Sequence, residues 1–202
     1  MNRHVRLWVA ALPLLLAACA PQMVRIKGDA GLLNAQLARE QALVHTSHWV
    51  LSGRLGVSDG HEGGSGGFTW TQDGEHYRFV FRTPITGRSF ELHGDPSGAV
   101  LEGLDGGPRH GPDAEALMRR ALGWEVPMRD LRAWVLGLRA DSGPAEIAFG
   151  DNRLPSLLTQ DGWSVEYRAW DTTRTPPLPT TVFAARPPYK VRLSIENWDL
   201  QP

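Results

Sequence analysis

Apolar and polar residues alternate along most of this chain with a period of two, and three helical stretches interrupt the pattern. In Trp49-Val50-Leu51-Ser52-Gly53-Arg54-Leu55-Gly56-Val57 the odd positions are mostly apolar and the even ones include Ser52 and Arg54. Phe68 and Trp70 share a face opposite Thr69 and Thr71, and Tyr77, Phe79 and Phe81 share one opposite Arg78, Val80 and Arg82. Phe90 and Leu92 alternate with Ser89, Glu91 and His93, and another strand is expected over 99–104. Later, Trp163, Val165 and Tyr167 oppose Ser164, Glu166 and Arg168, while Val191, Leu193 and Ile195 oppose Lys190, Arg192 and Ser194. Alternation of this kind predicts antiparallel strands with one apolar and one wet face.

Helical spacing replaces it first at Leu32, Leu33, Leu37, Ala42 and Leu43, which predict an amphipathic helix over 30–46. Pro112-Asp113 can start a second helix, with Ala114, Leu117, Met118, Ala121 and Leu122 on one face and Gly123 as its stop. Pro127 can open a third, with Met128, Leu131, Trp134, Val135 and Leu138 on one side and Gly137 near the end. Residues 59–67 read as a Gly-rich turn, and Thr175-Pro176-Pro177-Leu178-Pro179 as a stiff connector. The expected fold is mainly β with helices: one strongly curved antiparallel sheet, a barrel or curled sheet, with helices against its apolar face. The aromatics on that face exceed what a thin core needs, leaving room for an apolar cavity. An ordinary packed core is the alternative that periodicity leaves open.

The first residues follow another logic. Arg3 and Arg6 precede an apolar run from Leu7 to Leu16, broken only by Pro13. It is about half the length that spans a bilayer, so it reads as a secretory signal, with Ala17 and Ala18 suited to a peptidase site. Leu16-Ala17-Ala18-Cys19 resembles the bacterial lipobox, whose cysteine becomes the acylated first residue of the mature chain. The resemblance implies lipid on Cys19, and Ala20 in place of Asp implies sorting to the outer membrane. Two or more acyl chains hold a protein stably on a bilayer without a transmembrane helix. The expected organisation is a cleaved signal over 1–18, a lipid-anchored tether over 19–28 and a single domain over 29–202.

The chain of 202 residues carries a formal charge of −1, which loss of Arg3 and Arg6 makes more acidic, so nothing points to nucleic acid. With its one cysteine committed to lipid, no disulfide or thiolate metal site is expected. The seven histidines show no metal-ligand spacing, and His45 and His48 suit a solvated helix end. Gly63-Gly64-Ser65-Gly66-Gly67 fits the G-x-S-x-G nucleophile motif formally, but strand-like Phe68-Thr69-Trp70 follows where a helix is required.

From about Trp49 to Trp198 the chain resembles the LolB family of outer-membrane lipoprotein receptors. The landmarks begin with Gly53-Arg54-Leu55 after Trp49, Phe68-Thr69-Trp70 and Pro84-Ile85-Thr86-Gly87. Next come Leu122-Gly123 with Val126-Pro127, then Leu131-Arg132-Ala133-Trp134-Val135-Leu136-Gly137. The series closes with Gln160-Asp161-Gly162-Trp163-Ser164-Val165-Glu166-Tyr167, Leu178-Pro179 and Asn197-Trp198. The resemblance implies an incomplete antiparallel β-barrel covered by helices, whose interior takes acyl chains of triacylated lipoproteins from the periplasmic carrier LolA. The protein would be monomeric, anchored in the outer membrane and facing the periplasm, and would insert cargo among outer-membrane phospholipids. It would be no enzyme and need no cofactor beyond the covalent lipid.

Trp49, Leu51, Leu55, Phe68, Trp70, Tyr77, Phe79, Phe81, Phe90 and Leu92 are then expected on the cavity wall. Trp163, Val165, Val191, Leu193 and Ile195 continue it, with Met118, Leu131 and Trp134 from the covering helices. For each of these, plain core packing remains the alternative role. Relatives carry Pro-Leu-Gly with an exposed leucine for membrane insertion where this chain has Pro84, Ile85, Thr86 and Gly87, which places Ile85 in that role. A non-catalytic lipoprotein that scaffolds an outer-membrane assembly complex is the rival reading.

Overall fold

A computed structural model describes residues 23–83 and 89–201. Among them, 12 strands form one antiparallel sheet. In chain order the elements begin β1 (Ile26–Lys27), α1 (Ala30–Leu43), β2 (His48–Ser58), β3 (Gly63–Asp73), β4 (His76–Arg82) and β5 (Ser89–Asp95). They continue with β6 (Gly98–Glu102), β7 (Arg109–Gly111), α2 (Ala114–Leu122) and α3 (Met128–Trp134). Five strands finish the chain: β8 (Ala145–Phe149), β9 (Pro155–Gln160), β10 (Trp163–Asp171), β11 (Leu178–Arg186) and β12 (Tyr189–Leu200).

Two antiparallel meanders, β2–β7 and β8–β12, join where the last strand pairs with β2, for example Leu55 opposite Leu193. The order runs β1-β8-β9-β10-β11-β12-β2-β3-β4-β5-β6-β7, so β1 and β7 are free edges and the sheet does not close. This topology dictates where the helices go. β7 lies at one edge and β8 beside the other, so the segment between them must cross a face of the sheet. That segment carries α2 and α3, and their apolar residues join the core formed by the sheet's inner face.

Local chemistry agrees with each helix boundary. Asp113 accepts a hydrogen bond from the Ala116 amide as N-cap of α2, and Gly123 ends that helix in the left-handed region at φ 71°. Gly137, at φ 72°, ends the turn after α3. Helix α3 stops at Trp134, so Val135 and Leu138, expected within it, pack from the turn that follows.

Three expectations need correction. Residues 63–67 are not a turn: they open β3 and pair with β2 through Ser58, and only 59–62 make the bend. Glycine is required there by close approach, since a Cβ on Gly63 would stand 2.3 Å from the Val57 carbonyl oxygen and one on Gly66 2.2 Å from that of Arg82. The first helix ends at Leu43, and its buried face is Leu32, Gln36, Arg39 and Leu43 rather than the full leucine set. Leu33 and Leu37 face out. Finally, Leu178 and Pro179, assigned to the connector, belong to β11. Within the segment read as a tether, Ile26 and Lys27 pair with Phe149 and Ala148 of β8.

Candidate functional site

Cross-strand pairs build the inner face. Leu51 stands opposite Trp70, Trp70 opposite Phe79, Phe79 opposite Leu92, and Phe68 opposite Phe81, which in turn faces Phe90. Rings meet edge to face between Trp49 and Trp70 at 5.2 Å and between Trp70 and Phe79 at 5.9 Å, and Phe68 stacks on Phe79 at 5.5 Å. Such pairs add about 0.5–1.5 kcal/mol each beyond area burial. On the other meander, Val165, Val191, Leu193 and Ile195 extend the same surface.

Every residue expected on the wall is buried in this one apolar body, except Tyr77, which is half-buried at its border. Three indole N–H groups inside it are satisfied without interrupting the surface. Trp134 donates to Gln160 Oε1 at 3.1 Å, Trp70 to Gln72 Oε1 at 3.2 Å and Trp198 to the Pro179 carbonyl at 2.9 Å. Gln160 is held in place by its own donation to the Ala140 and Gly143 carbonyls at 2.6 and 2.8 Å. These glutamines let tryptophan fill an apolar space without orphaned donors.

Between the sheet and the helices lies a wholly apolar void of about 10 Å³, lined by Leu55, Phe79, Met118, Trp124, Val126, Met128, Leu131 and Leu193. A void of that size holds roughly one water-sized body. The space between the sheet and these helices is thus almost completely packed. Leu55, Phe79, Met118, Leu131 and Leu193 were expected on its wall; Trp124, Val126 and Met128 were not. Met128 sits on the helix face that periodicity had identified, whereas Trp124 and Val126 lie between α2 and α3, where no period operates. Their signal was an unusually apolar connector between Gly123 and Pro127.

Trp124 is the thinnest part of the enclosure. It lines the void, is half-exposed, and packs edge-on against Phe81 at 5.4 Å and Phe90 at 5.6 Å. Its ring lies over Gly64, where a Cβ would come within 2.8 Å of the ring's Cζ2. The glycines of β3 that mimic a catalytic elbow therefore make room for an aromatic cover. Ser65 itself sits mid-strand opposite Gly56.

A larger cleft of about 620 Å³ opens beside this core, with Trp70, Tyr77, Met128 and Trp163 among its lining between charged walls. Burial pushes the Tyr77 phenol up to about 12, helped by the carboxylates of Glu115, Asp113 and Asp95. On another wall, Glu125 binds Arg186 at 3.0 Å and Arg119 at 3.3 Å. His48 pairs with Asp73 at 2.9 Å, and no cluster of three or more metal-ligating side chains occurs among the described residues.

Residues 47–198 match the family model described as outer membrane lipoprotein LolB. The chain belongs to the LolB family. It is 39% identical over 173 residues to the outer-membrane lipoprotein LolB of Xanthomonas euvesicatoria pv. vesicatoria, covering 83% of this chain and 80% of that one. The Xylella fastidiosa LolB is 32% identical over 207 residues, covering 98% and 95%. Among solved structures, a LolA superfamily protein from Nitrosomonas europaea superposes with a TM-score of 0.53 over 84% of this chain and 93% of that one. At 9% identity that likeness concerns the fold alone. It agrees with the open antiparallel sheet under helices. Among the residues expected to act in this LolB-family chain, Cys19, Ala20 and the segment Pro84, Ile85, Thr86 and Gly87 lie outside the described residues.

Proposed function

We propose that this protein is an outer-membrane lipoprotein receptor. It is anchored through lipid on Cys19 and faces the periplasm as a monomer. It accepts the acyl chains of triacylated lipoproteins from LolA and releases them into the phospholipid of the outer membrane. The observation that carries this reading, beside family membership, is the continuous apolar face that runs across both meanders under two short helices. Acyl chains crossing water carry a hydrophobic cost of tens of kcal/mol at about 25 cal/mol per Å². A wall of aromatic and branched side chains removes that cost without directional bonds, so cargo can leave as readily as it arrives. Transfer between two such interiors needs no catalytic group and no cofactor.

The packed interior adds a requirement. No acyl chain fits a void of about 10 Å³, so loading must displace the α2–α3 cover, and Trp124 over Gly64 is the side chain to move first. Once the cover lifts, the wall from Phe79 to Leu193 becomes the binding surface. Ile85 then acts at the membrane, where burying an isoleucine is worth roughly 1.5–3 kcal/mol, enough to orient the domain without trapping it.

The test is transfer of lipoprotein from loaded LolA to the full-length protein in liposomes. Wild-type protein is expected to take the cargo and deliver it. Ile85→Glu is expected to accept cargo but retain it, and Ile85→Leu to behave as wild type. Delivery by Ile85→Glu at the wild-type rate would remove the loop from the mechanism. Failure of the wild type to take up either cargo or a fluorescent acyl probe would favour the scaffold reading, to which a packed interior is also suited.

A further inference from the structure

The first helix and the strand before it leave large apolar side chains on a water-facing surface. Helix α1 turns Gln36 and Arg39 inward with Leu32 and Leu43, and leaves Leu33 and Leu37 each 43% exposed. Val44, its C-cap, is 64% exposed, and Val24 and Ile26 at β1 are each 44% exposed. These five are the exposed large hydrophobic residues among the described residues, and all fall within 21 residues of one another. Spacings of four and seven align Leu33, Leu37 and Val44 in one stripe along the helix.

We infer that the outward stripe of α1, with Val24 and Ile26, is a docking surface for the phospholipid bilayer. This rests on the lipid anchor at Cys19 proposed above. Three observations select lipid as the occupant. Val24 follows Cys19 by five residues, a chain length that reaches at most about 18 Å. A cysteine embedded by its acyl chains therefore keeps Val24 and Ile26, and the start of α1 that follows them, close to the headgroups. Lys27 follows Ile26 and places a cation at the border of the apolar patch, the arrangement that suits anionic lipid, whereas Arg25 is paired with Glu166 at 2.8 Å. Meanwhile α1 carries a single carboxylate, Glu40, and both its oxygens are taken by Arg139, at 2.9 and 2.6 Å. The one acid within the helix is thereby neutralised, and the N-cap Asp29, which accepts from the Leu32 amide at 2.8 Å, lies at the opposite end of the helix from Val44. Lying flat with its stripe in the interface, α1 would fix the angle at which the sheet meets the membrane.

The inference is tested on the full-length lipidated protein, whose Cys19 thiol is blocked by lipid. Leu37→Cys, and separately Val44→Cys, is labelled with the environment-sensitive dye NBD. Ser97→Cys, in the turn between β5 and β6, serves as control. The proteins are placed in phosphatidylethanolamine–phosphatidylglycerol vesicles containing nitroxide-bearing lipid. The expected result is a blue shift and nitroxide quenching at positions 37 and 44, with neither at 97. Protein that floats with the vesicles but keeps an aqueous spectrum at 37 and 44 would overturn the docking surface while leaving the anchor intact. Protein that does not float would overturn the anchor and this inference with it. A shift that rises with protein-to-lipid ratio without quenching would assign the stripe to a second copy, and one seen only after adding LolA would assign it to the carrier; either result overturns the bilayer assignment.

Discussion

Helices α1 and α3 are both short segments packed in the same domain, yet they bury different chemistry. The inner side of α3 is Met128, Leu131 and Trp134, set against the apolar face of the sheet, with Asp130 its one buried polar residue. That of α1 includes Gln36 and Arg39, and what they meet is backbone. Gln36 donates to the Gly137 carbonyl at 3.0 Å; Arg39 donates to those of Leu136, Gly137 and Pro177. The carbonyls at 136 and 137 belong to the turn that ends α3, where oxygens lack partners within the helix. Arg39 also lies over the Trp170 ring at 4.8 Å. One helix thus covers side chains and the other satisfies the loose backbone that the first leaves behind. A helix that packs on carbonyls must turn polar groups inward, and two of its four leucines, Leu33 and Leu37, are left for the outside.

The sharpest way to break this comparison is Trp134→Ala. It removes a fully buried indole and should cost about 3–5 kcal/mol of stability in urea unfolding, since packed helices collapse only partly around a cavity. Arg39→Met comes next. It keeps the apolar stem but removes the donor to the Leu136 and Pro177 carbonyls, while Gln36 still serves that of Gly137, for an expected loss of about 2–3 kcal/mol. Burial pulls the Arg39 guanidinium down to about 10, against the opposing effect of Tyr167 and Glu40, so the group remains charged at neutral pH. Its loss should therefore show the same magnitude at pH 6 and pH 8.

The Glu40–Arg139 pair supplies a smaller and pH-dependent effect. Burial pushes the Glu40 carboxyl up, but hydrogen bonds from Arg139 and Gln36 and the charge of Arg139 outweigh it, and the pKa falls below its ordinary 4.5. A depressed carboxyl stabilises the fold above the unfolded value and loses that contribution as the pH falls through the folded one. Glu40→Gln should flatten stability between pH 5 and the acid limit and cost under about 1 kcal/mol at pH 7, because Arg139 is more than a third exposed. Smallest of all is the double change Leu33→Ser with Leu37→Ser. If the leucines of α1 carry no packing, stability should stay within about 0.5 kcal/mol of wild type. A loss comparable to that of Trp134→Ala would erase the contrast between the two helices.

Much of the sheet was legible because each strand contributes to one face only. The residues named from alternation, from Trp49 to Ile195, all reached the same apolar body, and α2 began and ended at Asp113 and Gly123. Two kinds of residue escaped. Trp124 and Val126 sit in a connector, where no repeat marks the inward side. Gln36 and Arg39 are polar, and hydrophobic spacing assigns polar residues outward by construction. The glycines at 63–67 misled for a related reason: glycine serves turns and close-packed strands alike, and only the approach of the Val57 and Arg82 carbonyls distinguishes them.

By itself, then, the sequence determined the strands, the inner face, the helix caps, the lipobox-like start and, through its landmarks, the family. These follow from neighbours along the chain, whose spacing acts before any long-range contact exists. Tertiary structure alone decided which strands are the free edges, how the β7–β8 segment carries α2 and α3 across the face, and how fully the space beneath them is packed, to a void of about 10 Å³. It also decided that α1 turns its polar side inward. Each of these depends on which distant backbone or ring a residue meets, as Gly64 meets Trp124 and Arg39 meets Gly137, and local spacing carries no record of such partners.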